Sequence, residues 1–354
     1  MGAENDPLKQ PSWAPPAGWR RITTLDAHAA GEPFRVVVAG VDEPVGETIL
    51  ERREYARARL DEVRRGLMWE PRGHADMYGC LLTPPESPES DFGILFLHNE
   101  GYSTMCGHGI LAVSTVVLES GMIDPGPPDA AGERELRIDT PAGTVTSWSR
   151  LEDGRVTSVR FRNVVSYVVD LGRSVEVEGL GPVRYDLAFG GAYYAYVNAA
   201  DFGLGCDPAE VSSLIELARK IKAAVAATDP IKHPTEPELG FLYGVVFVAP
   251  ARSAGCDSRN VCVFADGEVD RSPTGTSVSA RLAIHHARGE IAVGEEIVIE
   301  SLVGSRFGGR VVETTRIGPH PAIVPEVSGR AWLTGRHEFV FAPDDPFATG
   351  FFVR

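Results

Sequence analysis

Residues 99–109 read NEGYSTMCGHG and place one cysteine, Cys106, at the start of a helix that begins in glycines. The first backbone N–H groups of a helix have no acceptor inside it, and the helix dipole is positive at that end, so a thiolate or a carboxylate is stabilised there. Residues 110–120 are apolar nearly all round and precede Gly121, which predicts a buried helix with a glycine C-cap. We therefore expect a reactive thiol at a helix N-terminus that points into the protein.

A second copy of this arrangement lies near the other end of the chain. Residues 270–289 read DRSPTGTSVSARLAIHHARG, again a turn of small residues that leads into a helix and stops at glycine. Cys106 to Gly121 and Thr274 to Gly289 both span fifteen positions. Strand-like segments before and after the two helices also correspond, 31–38 with 191–198 and 136–139 with 297–300. We interpret this pattern as an internal duplication, with chance similarity of glycine-bounded elements as the alternative.

A duplication of this kind predicts two lobes that face each other across a cleft. Cys106 and Thr274 would lie on opposite sides of that cleft, each at the N-terminus of its helix. Because both helix ends attract negative charge, a small anion would be held between them.

At this point the chain resembles a known family. Members of the proline racemase family carry Met-Cys-Gly-His and Asp-Arg-Ser-Pro-Cys-Gly-Thr motifs as paired acid–base sites, and Thr274 stands here in place of the second cysteine. Further similar segments follow in the same order: 26–28, 31–33, 70–77, 186–191, 258–261 and 345–351. The resemblance implies an α+β fold of two pseudo-symmetric lobes, each a curved sheet or barrel around a central helix, as in diaminopimelate epimerase. Its active site would lie in the cleft between the lobes.

The lobes are expected to divide the chain unevenly. Residues 1–19 form a flexible N-terminal extension, residues 20–187 with 336–354 form the first lobe, which carries Cys106, and residues 188–335 form the second, which carries Thr274. A C-terminal strand over 338–341 would return to the first lobe, as the resemblance implies. Apolar residues at helical spacing predict a further helix over 208–226 that packs outside the sheet.

The threonine decides which reaction we expect. Racemisation needs a proton removed from one face of Cα and another delivered to the opposite face, whereas a threonine hydroxyl stays protonated far above the thiol pKa of about 8.5. Only Cys106 can then act as a base, and a Cys/Thr pair is similar to that of the trans-3-hydroxy-L-proline dehydratases. The expected reaction is α-proton removal by the Cys106 thiolate, followed by loss of the 3-hydroxyl as water, to give Δ1-pyrroline-2-carboxylate.

The resemblance also assigns substrate contacts, to Gly107, His108, Asp270, Gly275 and Thr276. Backbone N–H groups of the two helix starts would hold the carboxylate as its charge grows, and Asp270 would accept the ring ammonium. Thr274 would bind the leaving oxygen or help to protonate it, although an ordered water is an alternative acid.

Each of these residues also has a structural alternative. For Asp270 the alternative is a turn or capping residue, for Thr274 a helix cap that serves the substrate too, and for His108 a core histidine or a metal ligand. We expect no metal site, because zinc needs three or four protein ligands and no paired cysteines or His-Glu-x-x-His spacing occurs.

Composition narrows the class of protein. A net charge of −15 over 354 residues argues against nucleic-acid and anionic-membrane partners, and the resemblance implies a small imino acid as the partner. The four lysines lie in no Schiff-base motif, so we expect no pyridoxal phosphate and no other cofactor. The five cysteines are irregularly spaced, which indicates reduced thiols, and all but Cys106 are interpreted as small buried hydrophobes.

Without a signal peptide or an apolar run of about 20 residues, a soluble cytoplasmic enzyme of amino-acid catabolism is expected. A homodimer is one expected assembly.

Two other functions compete with the dehydratase. A hydroxyproline or proline epimerase would need another residue in place of the missing cysteine, and Cys256 and Cys262 precede Thr274 by at least twelve residues. A non-catalytic imino-acid binding protein would keep the carboxylate clamp and lose turnover, but it would not need a reactive thiol such as Cys106.

Overall fold

The computed structural model describes residues 13–228 and 230–353, and these contain eighteen β-strands and five α-helices. The first twelve residues of the predicted extension lie outside the described residues. The first half of the chain forms β1 (Arg20–Ala29), β2 (Glu32–Ala39), α1 (Ile49–Arg59), α2 (Asp61–Met68), β3 (Tyr78–Thr83), β4 (Phe92–His98), β5 (Tyr102–Ser103), α3 (Gly107–Glu119), β6 (Glu133–Thr140), β7 (Gly143–Glu152), β8 (Arg155–Arg162) and β9 (Ser166–Val177).

The second half follows a similar order. Its elements are β10 (Gly181–Phe189), β11 (Tyr193–Asn198), α4 (Val211–Thr228), β12 (Leu242–Pro250), β13 (Ser258–Phe264), β14 (Glu268–Val269), α5 (Gly275–Ala287), β15 (Glu296–Glu300), β16 (Arg306–Ile317), β17 (His320–Gly329) and β18 (Ala331–Phe341). No helix among the described residues is both long enough and apolar enough to cross a membrane.

Strand pairing repeats between the two halves. β2 pairs parallel with β3, and β11 pairs parallel with β12. An antiparallel pair follows in each half, β3 with β4 and β12 with β13. β4 then pairs parallel with β6, and β13 pairs parallel with β15. The connection between these parallel strands contains α3 in the first half and α5 in the second. The topology therefore agrees with the predicted duplication, and the equivalent connections place α3 and α5 at the same point of each half.

Each central helix is wrapped by strands. α3 packs against β1, β2, β7, β8 and β18, and α5 packs against the equivalent set β9, β10, β16 and β17. Residues 107–118 of α3 and 275–284 of α5 are buried, as expected for helices that are apolar or small on every face. The predicted α+β architecture, with a curved sheet around two central helices, is confirmed.

The two halves exchange one strand each. β18 pairs along its length with β1, so the C-terminal strand lies in the first half. In the same way β9 pairs with β10 and packs on α5, and the predicted boundary at 187/188 falls inside β10. The division into lobes stays a prediction, and these pairings favour a crossover between β8 and β9.

The helix predicted over 208–226 is present as α4, preceded by a 3-10 turn over Pro208–Glu210. Its buried residues belong to a hydrophobic cluster with the second-half strands: Leu214, Ala218, Ile221 and Val225. α4 therefore lies on the face of the sheet opposite α5.

Candidate active site

The N-termini of α3 and α5 meet backbone to backbone. A Cβ atom added to Gly107 would lie 2.5 Å from the Cα of Gly275, and one added to Gly275 would lie 2.7 Å from the Cα of Gly107. Real Cβ contacts are not this short, so both positions require glycine. The first N–H groups of the two helices lack acceptors within their helices, and they therefore converge on one region of the protein.

Cys106 caps the first of these helices. Its Sγ accepts a hydrogen bond from the Gly109 N–H at 3.2 Å and lies 3.3 Å from Nε2 of His108. The side chain is 4% exposed, and burial, reinforced by the negative charge of Asp270, raises the pKa of the thiol well above its usual value. The expectation that the helix N-terminus would lower this pKa is wrong for the free site, since burial and the carboxylate outweigh the N–H donor.

His108 and Asp270 bridge the two halves of the chain. The Nδ1 of His108 lies 3.5 Å from Oδ2 of Asp270, and both side chains are almost fully buried. Asp270 also accepts a hydrogen bond from the Ser272 N–H at 2.7 Å, so it is a turn residue as well as an ion-pair partner. Burial raises the pKa of Asp270, but the charge of His108 and hydrogen bonds from neighbouring groups lower it more. The site therefore holds a buried carboxylate.

Thr274 occupies the N-cap position of α5, opposite Cys106, with φ at 64°. Its side chain makes no capping hydrogen bond, so the expectation that the threonine caps its helix through the hydroxyl is wrong. Oγ1 is buried and lacks a hydrogen-bond partner of normal geometry among the described residues. A β-branched residue in this left-handed conformation is strained, and a buried hydroxyl without a partner is costly. Both features indicate a hydroxyl kept for a ligand.

The Thr276 side chain, unlike that of Thr274, has a hydrogen-bond partner within the protein. Its hydroxyl lies 2.7 Å from the hydroxyl of Tyr194, inside the core. Its side chain is therefore a packing contact, and only its backbone N–H remains for a ligand, as it does at Gly275.

Two residues near the site were not predicted. Glu32 is fully buried, accepts a hydrogen bond from the Arg271 N–H at 2.6 Å, and keeps Oε1 without a partner among the described residues. Burial, followed by repulsion from Asp270, raises the pKa of Glu32 well above its usual value. The motif Gly31-Glu32-Pro33 was noticed in the sequence, but a carboxyl group in a strand carries no sign of its burial.

Cys262 is the second residue near the site that was not predicted. The N–H of Asp270 donates to the Cys262 carbonyl at 3.1 Å, because β14 turns back antiparallel onto β13. Burial and Asp270 raise the pKa of this thiol, while the nearby Thr274 hydroxyl lowers it. Cys262 was expected to lie far from Thr274 because it precedes Thr274 by twelve residues in the sequence, and this expectation is therefore wrong. Cys256, by contrast, is partly exposed rather than buried.

The described residues contain no group of three or more histidine, cysteine or acidic side chains placed to hold a metal ion.

Comparison with known proteins agrees with this geometry. Residues 24–352 match the model of the family described as proline racemase. The chain belongs to the proline racemase family. It is 42% identical over 333 residues to a protein of Colwellia psychrerythraea named trans-3-hydroxy-L-proline dehydratase, covering 94% of this chain and 93% of that protein. A protein of the same name from Burkholderia cenocepacia is 43% identical over 335 residues, covering 95% and 99%.

Two solved structures are also similar to this chain. A hydroxyproline epimerase of Agrobacterium vitis with bound trans-4-hydroxy-L-proline gives a TM-score of 0.86 at 30% identity, over 94% of this chain and 96% of that one. A probable proline racemase of Agrobacterium radiobacter K84 gives a TM-score of 0.87 at 32% identity, over 94% and 96%. These matches confirm the predicted family and fold class.

Proposed function

We propose that this member of the proline racemase family dehydrates trans-3-hydroxy-L-proline to Δ1-pyrroline-2-carboxylate and water. The observation that carries the proposal is the pair formed by Cys106 and Thr274 at the starts of two helices that touch at their first glycines. One member can hold and release a proton at physiological pH and the other cannot. Relatives at 42–43% identity named trans-3-hydroxy-L-proline dehydratase support the same reaction.

Binding uses charges already in the site. The substrate carboxylate is held by the N–H groups that begin α3 and α5, through Gly107, His108, Gly275 and Thr276. Although burial raises the pKa of Asp270, its interactions with His108 and hydrogen bonds from neighbouring groups lower it, so this buried carboxylate holds the ring ammonium. Both ends of the amino-acid group are then fixed, and Cα lies between the two helix starts.

Proton removal begins at Cys106. Burial and the Asp270 charge raise the pKa of the thiol, and the incoming ammonium offsets that charge. The pKa of Cys106 then falls when substrate binds, so the thiolate forms where it is needed and takes the α-proton. The S–H bond forms as the C–H bond breaks, and the electron pair stays on Cα next to the clamped carboxylate.

Loss of the hydroxyl completes the reaction. The electron pair on Cα forms the double bond to C3 as the C3–O bond breaks, and the oxygen leaves as water after it gains one proton. In the trans substrate the 3-hydroxyl lies on the same ring face as the α-hydrogen, so the Cys106 thiol returns the proton to that oxygen, and the buried Thr274 hydroxyl contacts the substrate from the opposite face. The resulting enamine takes a proton on C3 while its ring nitrogen gives one up, and it becomes the cyclic imine.

An epimerase is the second candidate, favoured by one observation. The Cys262 thiol lies next to Asp270 and Thr274, and the Agrobacterium vitis structure at 30% identity is named a hydroxyproline epimerase. Cys262 is fully buried within β13, burial and Asp270 raise the pKa of its thiol, and the relatives named trans-3-hydroxy-L-proline dehydratase support dehydration as the favoured reaction.

The cellular compartment and the oligomeric state of the enzyme are also proposals. Its five free cysteines fit a reducing cytoplasm, and a homodimer stays a prediction.

The decisive experiment incubates purified protein, treated with chelator and without cofactor, with trans-3-hydroxy-L-proline, trans-4-hydroxy-L-proline and L-proline. Cyclic imine from the 3-hydroxy substrate alone is expected, and Cys106→Ser should abolish it. Inverted stereochemistry from either other substrate would favour the epimerase instead, and tight binding of all three without turnover would indicate a binding protein.

A further inference from the structure

A cavity of about 340 Å³ lies in the second half of the protein, away from the paired helix starts. Its walls come from β10, β11 and the C-terminal half of α5, and they include none of the active-site residues. Three arginines line it, Arg184, Arg281 and Arg288, together with His285 and the carboxylates Asp186 and Asp201. In a protein with a net charge of −15, this concentration of basic groups around one hollow is unusual.

Arg281 is the central group. Its side chain is 6% exposed, and its hydrogen bond runs from Nη1 to Oδ1 of Asn260 at 2.6 Å. Among residues 13–228 and 230–353, no carboxylate forms an ion pair with it. A buried cation without a counter-ion is costly. Burial lowers the pKa of Arg281 to about 10, so the side chain still carries its charge at neutral pH.

Other buried arginines in this protein are compensated. Arg35 pairs with Asp26 at 2.9 Å, and Arg259 pairs with Glu300 at 3.0 Å. Arg52, which has no carboxylate, donates to the backbone carbonyls of Gly46 and Pro84. Arg281 has a single amide oxygen, so its remaining N–H groups face the cavity without such compensation.

The rest of the cavity fits an organic anion. The Asp186 carboxylate is paired with the Arg288 guanidinium at 2.7 Å, so the two groups offset each other's charge. Arg184 is exposed at the mouth, and Nδ1 of His285 is bonded to the Glu290 carboxylate at 2.5 Å. Apolar surface comes from Tyr196, Val248 and Ile284, which would cover the carbon part of a ligand and gain the free energy of burying it.

We propose that this cavity binds a small organic anion, with its carboxylate or phosphate held by Arg281 and its apolar body against Tyr196, Val248 and Ile284. The site is separate from the substrate site but connected to it. Asn260, which holds Arg281, also donates from Nδ2 to the Ser277 hydroxyl at 3.0 Å, and Ser277 lies in the first turn of α5.

The test titrates phenyl phosphate, benzoate and inorganic phosphate into the full chain by isothermal calorimetry. Saturable binding of one equivalent is expected, and the stronger organic probe distinguishes a phosphate from a carboxylate ligand. Arg281→Gln keeps a donor toward Asn260 and should weaken binding by at least about tenfold, because a charge-assisted hydrogen bond is lost. Inorganic phosphate alone should bind more weakly, since it lacks an apolar body.

Three further variants keep the result interpretable. Arg184→Glu reverses a charge on an exposed residue, so it should fold and weaken binding even if Arg281→Gln fails to fold. Arg155→Glu changes an arginine that is 66% exposed on the other half, and it should bind as the wild type does. Thr274→Val alters the substrate site and should also leave binding intact. No saturable binding, or equal affinity in Arg184→Glu and the wild type, would overturn the proposal whatever the enzyme's activity is.

Discussion

Gly107 and Gly275 touch through their backbones, so that a methyl group on either would lie 2.5–2.7 Å from the Cα of the other. This contact brings the N-termini of α3 and α5 together, and each helix then presents unpaired N–H groups to the same small region. The glycines serve the geometry of the site more than the conformation of the chain, because neither has a positive φ.

The first prediction tests this contact. Gly107→Ala or Gly275→Ala should force the helix starts apart, lower the free energy of unfolding by about 1–3 kcal/mol, and abolish dehydration. Thermal unfolding followed by circular dichroism, together with the imine assay, measures both effects. Gly101→Ala is the matched control, since a Cβ there meets no atom within 4 Å. Full activity in Gly107→Ala would mean that the contact is not needed for the carboxylate clamp.

The second prediction concerns Thr274. Thr274→Cys should introduce a second acid–base group and give α-proton exchange with proline or 4-hydroxyproline. Cysteine is not β-branched, so it should adopt the observed φ of 64° with less strain than threonine does. Exchange in deuterium oxide, followed by NMR, is the measurement.

Two controls accompany this variant. Thr274→Ser keeps the hydroxyl and should retain dehydration, whereas Thr274→Val removes it and should slow dehydration by about tenfold or more, because a hydrogen bond to the substrate is lost. If Thr274→Cys shows no exchange beyond the wild type, the one-base explanation of the reaction is incomplete.

Local signals predicted much of the fold. The apolar segments after Cys106 and Thr274 predicted two buried helices, and equal spacings to Gly121 and Gly289 predicted the duplicated order of strands. These features depend on residues near each other in the chain, where periodicity and glycine punctuation are direct signs of structure. Of the two strands that pair with the other half, only β18 was predicted. The return of β18 followed from the resemblance, but β9 reads like any other strand until its pairing with β10 is known.

The electrostatics of the site could not be predicted from sequence. A helix N-terminus favours a thiolate, yet burial and Asp270 raise the pKa of Cys106, and both come from packing between distant parts of the chain. The position of Cys262 beside Asp270 has the same origin, since it depends on the pairing of β13 with β14.

The third prediction is that Asp270 controls the reactivity of Cys106. The alkylation rate of Cys106 by iodoacetamide should rise with pH and reach half its maximum above the ordinary thiol pKa, because burial and the Asp270 charge raise the pKa. In Asp270→Asn the half-maximum should move to lower pH, while dehydration is lost with the ammonium partner. Mass spectrometry of the labelled peptide measures the rate, in a Cys256→Ser background because Cys256 is partly exposed.

A matched variant separates this effect from a general change of charge. Asp266→Asn removes a carboxylate that is 76% exposed, and it should leave the pH profile of alkylation unchanged. Pyrrole-2-carboxylate, a planar mimic of the carbanion, should protect Cys106 in both the wild type and Asp266→Asn. An unchanged profile in Asp270→Asn would show that burial alone sets the thiol pKa.

The fourth prediction concerns stability and pH at the buried pair of Glu300 and Arg259. Glu300 is 1% exposed and accepts hydrogen bonds from Arg259 at 3.0 Å and from the Arg252 N–H at 2.9 Å. Although the loss of water around it raises its pKa, hydrogen bonds from Ser253, Arg252 and Arg259 lower the pKa to about 2. The folded state therefore favours the ionised form, and this stabilisation is complete above the ordinary carboxyl pKa of about 4.5 and disappears as the pH falls toward 2.

Glu300→Gln should accordingly lower the free energy of unfolding by about 2–3 kcal/mol at pH 7, with a difference from the wild type that shrinks between pH 5 and pH 3. Urea unfolding at pH 7, 5 and 3 measures it. Glu89→Gln is the control: Glu89 forms an ion pair with Arg137, and its side chain is 73% exposed. This variant should change the free energy of unfolding by less than about 1 kcal/mol at every pH. If the Glu300→Gln difference stays constant down to pH 3, its cost comes from packing of the amide and not from the lost charge.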